Sequence, residues 1–202
     1  MIQVTPGFKK KAKSTEFISF PGLAGGVRIV VDGKVVTKFA EEVVAEPSWN
    51  TANDPIGDTR EAPADEFVGR DISASLGSLF HAFEPFVSGE AERHQEYVGE
   101  LYDEPSHMLI AFSHLDGEYI RIAALPKHPG KSLNPALYAQ LGVAIEPTEF
   151  AAALADCYEE CLEYIHHAFV ETDRDNYRPE YVEEIEEDFN HKIERLRSMI
   201  AE

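Results

Sequence analysis

The sequence predicts an α+β fold: a mostly antiparallel sheet built from hairpins, helices packed on one face, and a long amphipathic helix at the C-terminus. Three observations predict it. Asp-Gly pairs sit between apolar runs at 27–39 and again at 108–125, as hairpins require. Helical apolar stripes run through 71–84 and 147–170. A seam of Tyr181, Ile185, Phe189, Ile193, Leu196 and Ile200, spaced by 4, 4, 4, 3 and 4, marks the last helix.

In chain order, Glu16–Phe20 reads as a short strand ended by Pro21 and Gly22. Val27–Val31 and Lys34–Phe39 form a hairpin across Asp32-Gly33, which supplies the positive φ angles of a two-residue turn. That turn pairs Ile29 with Val36 and Val30 with Val35. Both faces of the hairpin are partly apolar, so cover on both sides is expected. Residues 46–70 show no period and are rich in proline and acid, which predicts a long exposed loop. Asp71 or Ser73 caps a helix to about Glu84, with Leu76, Leu79, Phe80 and Phe83 on its apolar stripe. Pro85 ends or kinks it and Gly89 closes the segment. In 90–104, Tyr97, Val98 and Leu101 suit a helix face, but Gly99 interrupts them.

Met108–Leu125 is the second hairpin. A three-residue loop, Leu115-Asp116-Gly117, pairs Phe112 with Ile120, Ile110 with Ile122 and Met108 with Ala124 on one apolar face, whereas a one-residue slip inverts every side chain. Asn134-Pro135 opens a helix that ends before Gly142, and Val143–Ile145 is a short strand. Pro147 opens a helix to about Val170 whose stripe is Phe150, Leu154, Tyr158, Cys161, Ile165 and Phe169. The last helix starts at Pro179, with acids in its first turns and Arg195 and Arg197 near its end, complementing the helix dipole. The chain thus divides into a basic N-terminal segment at 1–15, an α+β domain at 16–170 that carries the acidic loop, and a connector with the C-terminal helix at 171–202.

Charge is sorted along the chain. Residues 1–39 are net +5, residues 40–104 net −13, residues 105–150 net −1 and residues 151–202 net −10, which makes −19 for the whole. A field of that sign repels nucleic acid and anionic lipid and attracts a basic partner. The N-terminal lysines Lys9, Lys10, Lys11 and Lys13 are followed by no apolar stretch, so neither a signal peptide nor a membrane span is expected, and the cytoplasm is the expected location.

No catalytic motif is found: no phosphate-binding glycine loop, nucleophile elbow, zinc-protease helix or calcium loop. Cys157 and Cys161 with His166 and His167 fall on one helix rather than in the split pairs of a zinc site, and read as core thiols beside ordinary helix histidines. On a regular strand His107 and His114 face opposite sides. No cofactor and no metal site is expected. A metal-dependent enzyme using His81, His107, His114, His128, His166 or His167 stands as an alternative.

The order of elements carries a resemblance. The DGK hairpin, the acidic loop, the helix ISASLGSLFHAFEPF, the hairpin HMLIAFSHLDGEYIRIAAL and the helix beginning EPTEFAAALADCYEECLEYI together resemble small cytoplasmic immunity proteins of bacterial polymorphic toxin systems, over about residues 16–170. The resemblance implies a non-enzymatic protein that neutralises a toxin by occluding its active site. The charge pattern places the contacts to a basic protein partner on the acidic loop, at Asp54, Asp58, Glu61, Asp65 and Glu66. Trp49 serves either as an aromatic contact or as the anchor of the loop to the body. A structural or regulatory subunit that forms a homodimer through 179–200 is the other reading of the C-terminal seam.

Overall fold

A computed structural model describes residues 1–8, 23, 25–37, 71–101, 108–115, 118–126, 142–171 and 179–201. The expected strand at 16–20, the lysine cluster at 9–13, the acidic loop, the helix expected from Asn134 and the 172–178 connector lie outside them. So do His107, His128 and the Asp116-Gly117 turn.

The fold is α+β, and the described residues form two antiparallel sheets rather than one, with three helices. The first sheet has the order β1 (Ile2–Phe8), β2 (Gly25–Val31), β3 (Lys34–Val35). The second runs β4 (Glu96–Leu101), β5 (Met108–His114), β6 (Ile120–Pro126), β7 (Val143–Ile145). The helices are α1 (Ile72–Val87), α2 (Pro147–Glu171) and α3 (Pro179–Ala201).

The first sheet adds a strand that the reading of 1–15 as a basic segment passes over. Ile2, Val4, Pro6 and Phe8 alternate with Gln3, Thr5 and Gly7, the period of a strand. β1 pairs along all of β2, from Ile2 opposite Val31 to Phe8 opposite Gly25. A Cβ on Gly25 would stand 2.1 Å from the Gly7 carbonyl oxygen, so this end of the ladder closes only with glycine there. The Asp32-Gly33 turn forms as expected, with φ of 49° and 80°, and Val30 faces Val35. β3 is shorter than expected. The Val36 N–H still donates to Ile29 O at 2.8 Å, but the Ile29 N–H donates to the buried Thr37 Oγ1, so a side chain replaces the next rung.

Asp71 caps α1, its Oδ1 accepting from the Ala74 N–H at 3.1 Å. Pro85 does not end the helix. It sits in the last turn, where it removes one hydrogen bond, and the ring of Phe86 packs on Tyr97, Phe112 and His114 to hold that turn in place. The closure is at Gly89 (φ 72°), where the Glu90 N–H donates to Pro85 O at 2.9 Å in a Schellman arrangement.

The ambiguous 90–104 stretch resolves as strand β4. Gly99 is the reason α1 lies so close to it: a Cβ there would stand 2.8 Å from the Ser78 carbonyl oxygen, and the Glu100 N–H donates to Ser78 Oγ at 2.7 Å. The β5–β6 hairpin has a register two residues from the expected one. Phe112 faces Ile122, Ile110 faces Ala124 and His114 faces Ile120. The strands end at His114 and Ile120, and beyond them the Leu115 N–H donates to Tyr119 O at 3.0 Å in the same register. A shift of two keeps every side chain on its face, so the apolar pattern that excludes a one-residue slip does not distinguish these two registers.

β7 and α2 form where expected, with Pro147 at the first helical position and the Phe150 N–H donating to Glu146 O at 3.1 Å. One continuous core joins both sheets and all three helices. At its centre the Phe83 ring lies 4.9 Å from Phe150 and 5.6 Å from Phe112, both tilted as aromatic pairs prefer.

Candidate functional site

The six residues expected to meet a partner, Trp49, Asp54, Asp58, Glu61, Asp65 and Glu66, all lie outside the described residues. The second acidic stretch is described, and it forms a helical hairpin. α2 and α3 run antiparallel, since His166 stands near Glu186 at one end and Asp156 near Arg197 at the other.

The seam between them follows from the apolar spacing. Phe189 and Leu196 are buried, and the Phe189 ring meets Tyr158 edge to face at 4.8 Å. Val182, Ile185, Ile193 and Met199 pack against the same core from its rim. The C-terminal helix therefore buries the centre of its apolar seam, Phe189 and Leu196, in its own chain, while Ile200 at its end is exposed.

Each Lys and Arg on α3 is engaged within the molecule. Arg197 Nη2 donates to Asp156 Oδ1 at 2.5 Å and Glu159 Oε1 at 3.0 Å, both on α2. These two carboxylates raise the pKa of the Arg197 guanidinium. Arg195 reaches across to Glu84 of α1 at 2.5 Å. Lys192 is 8% exposed; it pairs with Asp188, and its ammonium stands 5.9 Å and 6.0 Å from the ring centres of Phe80 and Tyr158.

Carboxylates fill the outward faces. Glu160 and Glu163 on α2, and Glu183, Glu184, Glu187 and Glu194 on α3, are exposed and take part in no ion pair among the described residues. Partial burial and then the charge of Glu163 raise the pKa of Glu160 above its ordinary value. A groove of about 670 Å³ along α3 is lined, among the described residues, by Glu184, Glu187, Asp188, Asn190, His191 and Glu194.

These carboxylates could be found from sequence. At 100° per residue, Glu184, Glu187 and Glu194 fall opposite the Phe189–Leu196 seam. The net −10 of residues 151–202 points to them as directly as the loop composition points to Asp54 and its neighbours.

The other chemical candidates are held structurally. Cys157 and Cys161 are free thiols, both buried. The neighbouring Cys161 thiol, then burial, drives the Cys157 pKa well above its ordinary value, which suppresses thiolate chemistry. His114 Nε2 lies 3.0 Å from the Ala91 carbonyl oxygen and its ring packs on Phe86. His81 and His166 are exposed, beside Glu84 and Glu186. Among the described residues no group of three or more His, Cys, Asp or Glu is placed to hold a metal ion, and no helix is long and apolar enough to cross a membrane.

Fold and surface together define an α+β protein with a mainly acidic helical face. No family model, curated protein or solved structure matches the chain.

Proposed function

We propose that this chain is a non-enzymatic binding protein that captures and neutralises a basic protein partner, acting as an immunity protein against a cognate toxin. The observation that carries the reading is the sorting of charge on the α2–α3 hairpin. Its lysine and arginines pair within the molecule, with Asp188, Glu84, Asp156 and Glu159, while six exposed carboxylates take part in no ion pair among the described residues. A surface of this kind speeds encounter with a cationic protein and discriminates against acidic ones. The acidic 40–104 stretch, net −13, supports the same partner chemistry. The homodimer reading draws no support from α3, whose Phe189 and Leu196 are buried in its own chain.

The test is to mix the purified protein with the product of the neighbouring gene upstream and follow association at low and moderate salt. The expected result is a complex whose association rate falls about tenfold as salt rises, and falls again in a Glu184→Lys, Glu187→Lys variant. Absence of a complex at both salts overturns the proposal.

A further inference from the structure

We draw no further inference here: the strongest candidate, the face of the four-stranded sheet where Val98 is exposed while its register neighbours Ala111 and Ala123 are buried, is an apolar face for which nothing among the described residues shows what covers it.

Discussion

Tyr158 places a hydroxyl where the fold offers it nothing. The side chain is fully buried, its ring is packed on Phe189, and its Oη has no hydrogen-bond partner among the described residues. An unsatisfied buried hydroxyl costs about 1–3 kcal/mol, whereas the ring itself contributes stability through burial. Tyr158→Phe is therefore expected to raise unfolding stability by about 1 kcal/mol, read from the denaturant midpoint at unchanged slope. A comparable loss would show that the hydroxyl is bonded in solution. Glu160 gives a second residue-scale expectation, one that depends on pH. Its pKa is raised in the fold, first by burial and then by Glu163. The folded state thus holds the Glu160 proton more tightly than the unfolded chain does. The penalty sets in as pH rises from the ordinary glutamate value, about 4.3, and is complete above the raised folded value. Glu160→Gln should stabilise the protein at neutral pH by about 0.3 kcal/mol, the scale of a like-charge helix pair. The gain should vanish in thermal melts run below that window.

Two glycines make opposite predictions at the scale of elements. Gly77 lies inside α1 with open space where a Cβ would go, so Gly77→Ala should stabilise by about 0.5–1 kcal/mol through helix propensity. Gly99 faces the Ser78 backbone at 2.8 Å, so Gly99→Ala must push α1 off β4 and should cost about 1–3 kcal/mol. Paired denaturation curves check both signs at once. The same elements show what was legible in the sequence. α2, α3, the Asp71 cap and the Asp32-Gly33 turn could be read because each is specified locally, by period, cap chemistry or φ. β4 could not, because Gly99 reads as a defect until α1 is laid against it. Pro85 was misleading for a related reason: the aromatic packing of Phe86 outweighs one missing hydrogen bond, and that packing is tertiary. The β5–β6 loop length was beyond a pattern of period two. At the candidate surface, the outward carboxylates of α2 and α3 follow from helical geometry. The inward pairing of Arg195 with Glu84, 111 residues apart, has no local signal.

At the scale of the whole molecule, the three described helices and two sheets share one core, and that sharing leaves α3 with a mainly acidic exterior whose arginines are paired. α3 can present carboxylates outward because Glu84 on α1 and Asp156 and Glu159 on α2 stand ready for its arginines. The expected binding to a cationic protein belongs to this scale, since no single carboxylate carries it and rim charges act on the encounter rather than on the final contact.

The pairing of the α3 cations within the molecule bears also on how copies of the molecule treat one another. Two of them approaching along their helical hairpins meet potentials of the same sign, so the pair repels until counter-ions intervene. Light scattering at neutral pH should accordingly give a positive second virial coefficient in dilute buffer that shrinks as electrolyte is added. A coefficient indifferent to electrolyte would mean that the exterior is less one-sided than its helices make it.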